Sequence, residues 1–274
     1  MSICDRTGTA ENRAALSETS SDPRLLGAPL ADPVQEARRL LGAANGAGVP
    51  LRAIGGVAIR LRGNGRFPTA LAREYGDIDL VTAKGQGGAV SEFLGGLGYL
   101  AEQRFNALHG SRRLMFVDER NDRRLDVFVG VFEMCHSLPL SARIDVDPVT
   151  VPPAELLLTK LQVIQLNRKD AGDALALLLV EPLRDDDDAG INSAEVARLC
   201  AADWGLWRTC KQNLERLGEA VATFELGAEA QDTARARIAA LSARIEAEPK
   251  SSKWRLRHRI GDRKRWYQEP EETH

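Results

Sequence analysis

Apolar positions divide the chain into a leader, a stretch in which strands and helices mix, and a helical remainder. Residues 1–31 are rich in Ser, Thr, Asp, Glu and Arg and read as a flexible leader, with Leu25, Leu26 and Leu30 as its only anchors. Asp32-Pro33 is a helix start, an N-cap followed by proline at the first helical position. Apolar residues at Val34, Ala37, Leu40 and Leu41 carry that helix towards Gly46 and Gly48. Leu51 to Ile54 is a short strand, and Gly55-Gly56 leads into a helix from Val57. Asp77-Ile78-Asp79-Leu80 alternates with a period of two, as a strand does, so the two aspartates leave one face. Gly87 to Leu94 reads as a short helix closed by Gly95-Gly96. Two strand-like runs, Arg113 to Val117 and Arg124 to Val129, flank the polar connector Asp118 to Arg123 and predict a hairpin. Ser141 to Val151 is expected to add a further strand, ended by Pro152-Pro153.

Beyond Pro153 the period becomes helical. One helix is expected from Pro153 through Leu157, Leu158, Leu161, Val163, Ile164 and Leu166. Asn167-Arg168-Lys169 interrupts it, and Asp170 is placed as the cap of a second helix through Val180. Ser193 caps another through Val196, Leu199 and Cys200, followed by Trp204 to Leu217 and Ala228 to Ala247. Trp204 and Trp207 fall at helical spacing and read as core anchors. The acidic run Asp185 to Asp188 lacks calcium-loop spacing and reads as a solvated loop. The division that follows is 1–31, leader; 32–152, catalytic domain; 153–274, helical domain with a basic tail.

Composition changes this picture little. A chain of 274 residues with net charge −2 suits one catalytic domain with a helical companion, and its charge announces no nucleic-acid or membrane partner. Four cysteines show neither zinc spacing nor a disulfide framework. With no secretory signal pattern and no apolar run long enough to span a bilayer, a soluble cytoplasmic protein is expected. The tail from Lys250 to Tyr267 interleaves basic residues with Trp254, Trp266 and Tyr267. It reads either as an amphipathic segment packing its aromatics on the body or as a surface for RNA or another polyanion.

The chemistry concentrates between Gly55 and Asp126. Two carboxylates on one strand face repel unless a cation lies between them, and an oxygen-only ligand set suits magnesium. The glycine pair lets backbone approach a ligand closely, and a helix starting behind it aims free N–H groups at an anion. Magnesium beside a phosphate site is what a nucleoside triphosphate needs. Asp126, an acid among Leu125, Val127 and Phe128, is either an edge-strand charge or a third metal carboxylate. Isolated His109 and His136 read as surface or packing histidines.

Gly55, Gly56, Asp77 and Asp79 resemble the signature of the DNA polymerase β-like nucleotidyltransferase superfamily, a glycine turn followed by Asp-x-Asp. The gap between the two halves is longer here, the excess falling around Gly63 to Pro68. Lys160, followed by Arg168-Lys169-Asp170 and Asp173, is similar to the later motifs of the AbiEii-like group, which includes toxins of toxin–antitoxin systems. The resemblance implies an α+β fold, a small mixed sheet flanked by helices and followed by a helical C-terminal domain. It implies magnesium-dependent transfer of an NMP from an NTP to an acceptor hydroxyl, possible on tRNA or protein. Asp77, Asp79 and Asp126 would hold two magnesium ions, and Gly55 and Gly56 would cradle phosphate. Lys160 would add positive charge, Asp170 would belong to the catalytic set, and Arg73 would either assist or be a surface arginine. A cognate antitoxin is a further implied partner. The alternatives are a nucleotide- or partner-binding module without turnover, and a small-molecule nucleotidyltransferase.

Overall fold

The computed structural model describes residues 27–269, so most of the proposed leader, including Cys4, Leu25 and Leu26, lies outside the described residues. The centre is a five-stranded sheet in the order β1-β2-β5-β4-β3. Its strands are β1 (Leu51–Ile54), β2 (Ile78–Thr82), β3 (Leu100–Ala101), β4 (Arg113–Asp118) and β5 (Arg123–Val129). Only the β2–β5 pair is parallel. The β4–β5 pair is the hairpin that the polar connector predicted.

Register explains which residues face the core. Ile78 and Leu80 on β2 pair with Leu125 and Val127 on β5, and Phe116 on β4 pairs with Leu125. All five are fully buried. Because successive strand residues point to opposite faces, Asp79, Asp126 and Phe128 are consigned to the other side.

Helix α1 (Pro33–Gly46) begins as expected, with Asp32 accepting a hydrogen bond from the Gln35 amide. Helix α2 (Gly55–Gly63) starts two residues earlier than expected, directly at the glycine pair. Helices α3 (Gly87–Gly96) and α4 (Gln103–His109) flank β3. After β5 come a small hairpin, β6 (Val131–Glu133) with β7 (Ser137–Pro139), and a 3-10 turn at Ser141–Arg143. The strand expected over Ser141 to Val151 is therefore reduced to one isolated bridge between Thr150 and Ala53. Arg52 hydrogen-bonds the Ile144 and Asp147 carbonyls, and Arg62 holds the Asp147 carboxylate, so this segment is fixed by side chains rather than by a ladder.

The second half is helical: α5 (Pro153–Leu161), α6 (Arg168–Val180), α7 (Ser193–Ala202), α8 (Trp204–Ala220), α9 (Ala228–Ala247) and α10 (Ser252–Ile260), with the short parallel pair β8 (Leu183–Arg184) and β9 (Ile191–Asn192) inserted. Helix α5 stops at Leu161 instead of running on to Leu166. The caps also differ, by three residues in one case and by one in the other. Asn167, not Asp170, caps α6, its side chain accepting from the Asp170 amide; Asn192, not Ser193, caps α7. Helices α5 and α6 pack on α2. One hydrophobic cluster runs from Ala37 to Trp254, so the change to helical structure at Pro153 is not a break in the core. No helix among the described residues is long and apolar enough to cross a membrane.

Candidate active site

Asp79 and Asp126 are register partners across the parallel β2–β5 pair, so their carboxylates leave neighbouring strands on the same face. Asp77 precedes β2 and is exposed, which takes it off the strand that the alternation had assigned to it. Arg113 on β4 donates from Nε to the Asp126 carboxylate at 2.9 Å. Among the described residues Asp79 has no such partner. Burial, and then the Asp126 carboxylate, push its carboxyl up to about 6, against the opposing pull of Lys160 and Arg113. A carboxylate pair with one arginine between them carries an excess negative charge, the condition that a divalent cation relieves.

The glycine pair has two separate tasks. Gly55 has φ +74°, and a Cβ there would stand 2.6 Å from Asp79 Oδ2, so only glycine leaves this carboxylate its place. A Cβ on Gly56 would stand 2.1 Å from the Arg73 guanidinium and 3.0 Å from Asp173 Oδ2. The second glycine thus clears space for an ion pair.

That ion pair belongs to a closed cluster. Arg73 donates to both oxygens of Asp173, at 3.0 and 2.8 Å. Lys160 Nζ lies 2.9 Å from Asp170 and 3.0 Å from Asp173. Burial alone would lower the Lys160 pKa, but Asp173 and Asp170 outweigh it and hold the ammonium charged, its pKa raised. Two of its three N–H donors are thereby committed. Arg73 is thus no free surface arginine. The loop between α2 and β2 carries it there, anchored by Phe67, which is buried beneath the Arg60 guanidinium at 4.8 Å. Asp173, already named in the later motif though not given a site role, is the residue on which both cations converge, one helical turn after Asp170.

Asp79, Asp170, Lys160 and Gly55 line one cavity of about 630 Å³. Its remaining wall includes residues that pattern reading had not selected: Phe105 and Leu108 from α4, Arg113, Phe128 and Phe132. His109 also lines it, its ring tilted against Phe105 with centroids 4.7 Å apart, whereas His136 is buried and bonded to Thr209. Gln268 and Glu269 from the C-terminal tail complete the rim. The tail's tryptophans pack on the body: Trp254 is buried, and half-buried Trp266 packs edge-on against Trp204. The basic side chains of α10 remain on the surface. Cys135, Cys200 and Cys210 are free and buried.

Among the described residues, no group of three or more His, Cys, Asp or Glu is drawn together as a metal-binding set. The donor chemistry nonetheless fits magnesium, which characteristically takes one or two carboxylates and completes its shell with water and substrate phosphates. Comparison with family models, with curated proteins and with solved structures finds no match for this chain.

Proposed function

We propose that the chain is a nucleotidyltransferase that moves an NMP from an NTP to an acceptor hydroxyl and works in the cytoplasm. One observation carries the reading: Asp79 and Asp126 stand side by side on one sheet face, only Asp126 is compensated by arginine, and Asp79 lines a cavity that a charged lysine also lines. Asp79 and Asp126, with Asp77 close in sequence, would hold magnesium. Bound there, the metal would polarise the triphosphate and lower the pKa of the attacking hydroxyl.

The chain's own groups do the rest. Lys160 presents its remaining N–H to an anionic ligand, while Asp170 and Asp173 fix where its ammonium stands. Arg113 keeps the Asp126 carboxylate oriented. Gly55 allows Asp79 to approach the start of α2, whose free N–H groups favour phosphate. The acceptor oxygen forms a bond to the α-phosphorus as the bond to pyrophosphate breaks, and the hydroxyl proton leaves to solvent.

Purified protein incubated with each labelled NTP and magnesium, with RNA, protein extract or small metabolites added in turn, tests the reading. Magnesium-dependent transfer of label to one acceptor class is expected. Tight NTP binding with no transfer to any of them would leave a binding module instead.

A further inference from the structure

The cavity continues away from the carboxylates as an aromatic wall. Arg113, bonded to Asp126, lies with its guanidinium 5.2 Å from the Phe128 ring centroid and 5.9 Å from that of Phe105. Phe128 meets Phe132 edge-on at 4.7 Å, and His109 extends the Phe105 face. Helix α4, which supplies Phe105 and His109, buries none of its residues, and Leu108 beside them is 79% exposed. These side chains therefore do little for the core, yet all three line the cavity, with Phe105 the least exposed of them.

Resting on the nucleotidyltransferase reading, we propose that this wall is a stacking subsite for the nucleobase of the nucleotide, with Phe105 as its principal face. A nucleotide whose phosphates lie by Lys160 and Gly55, with its α-phosphorus at Asp79 and Asp126, extends its ring past Arg113 to these aromatics. Every nucleobase has a π-face, and an aromatic wall binds it by stacking with little regard to its hydrogen-bonding edge. Arg113 joins the two parts of the site. One face of its guanidinium belongs to the rings and its Nε to Asp126, so an occupied base subsite also holds the catalytic carboxylate in place.

Calorimetric titration with magnesium–ATP and, separately, magnesium–tripolyphosphate tests this, using wild type, Phe105→Ala and Phe105→Trp. Phe105→Ala is expected to weaken ATP about tenfold while tripolyphosphate changes by less than about twofold, the loss typical of one stacking face. Phe105→Trp restores ATP affinity. Should Phe105→Ala bind ATP as wild type does, the base assignment is overturned while the nucleotide reading stands, and the wall belongs to the acceptor. Should wild type bind neither ligand, the nucleotide reading falls and takes the base subsite with it. If Phe105→Ala fails to fold, Phe105→Leu, which keeps the apolar volume and removes the π-face, gives the same decision.

Discussion

Asp79, half-buried, and Asp173, buried, are two carboxylates near Lys160, and burial and neighbours shift them in opposite directions. Burial pushes both upward. Around Asp173 the hydrogen bonds and charges of Arg73 and Lys160 overcome burial and hold its carboxyl below the ordinary range. Around Asp79 nothing does, and Asp126 pushes it further up, to about 6. The first arrangement is closed: two cations face two anions, and each oxygen of Asp173 has a donor. The second is open, and its imbalance faces a cavity. Balanced buried charge reads as architecture, and unbalanced charge beside a cavity reads as a candidate functional site. Lys160 belongs to both, structurally tied to Asp173 and electrostatically felt by Asp79.

The largest effect should come from opening the closed cluster. Asp173→Ala leaves Arg73 and Lys160 short of a shared partner, and breaking a buried pair in this way costs about 3 kcal/mol or more. Denaturant unfolding measures it; a loss below about 1 kcal/mol would place the cluster with ordinary surface ion pairs. Asp79→Asn should do the reverse. It removes an uncompensated charge, so the metal-free melting temperature should hold or rise, while transfer falls by about a hundredfold or more. Normal magnesium-dependent turnover in that variant would end the catalytic reading. Gly55→Ala touches the open site only. Its left-handed backbone alone predicts about 1–2 kcal/mol of destabilisation, and the new methyl displaces Asp79, so activity should drop while the Arg73–Asp173 pair survives. Unchanged kinetics would show that the close approach of Gly55 and Asp79 has no bearing on the chemistry.

Local pattern made the open site legible. Period-two alternation located Asp79, and the apolar neighbours of Asp126 put that acid on a strand, leaving open an edge-strand charge that the sheet order now excludes. The hairpin, α1 and α9 followed from connector, cap and period in the same way. The closed cluster was only half visible, because it joins a loop residue, Arg73, to a helix residue 100 positions later, and no local period encodes that distance. The aromatic wall was missed for a related reason. Phe105 and Phe128 lie on separate elements and face a cavity that only the tertiary packing of α4 over β4 and β5 creates. The absent strand between Ser141 and Val151 teaches the same lesson from the other side. Its apolar residues suggested a ladder, but Arg52 and Arg62 satisfy its carbonyls and carboxylate instead.

The smallest expected effect is a slope, and it separates the two carboxylates most sharply. Asp79 is raised from 3.8 to about 6 in the fold, so between those values the native state holds more proton than the unfolded chain. Its contribution to the stability of metal-free protein therefore falls as pH rises from about 4 to about 6. Asp173 is lowered in the fold, so its contribution is present above the unfolded value of 3.8 and is lost as pH falls below it. Other carboxylates add their own slopes, so the decisive quantity is the difference between variant and wild type. Unfolding free energies measured from pH 3 to pH 7 in the presence of a chelator should show Asp79→Asn flattening the upper window and leaving the lower one alone. Asp173→Asn should flatten only the lower. Magnesium added at pH 7 should stabilise wild type and Asp173→Asn but not Asp79→Asn, since only the last lacks the unbalanced charge that the cation neutralises. An Asp79→Asn profile that overlays wild type would mean that Asp79 is already compensated, and that the two carboxylates are of one kind.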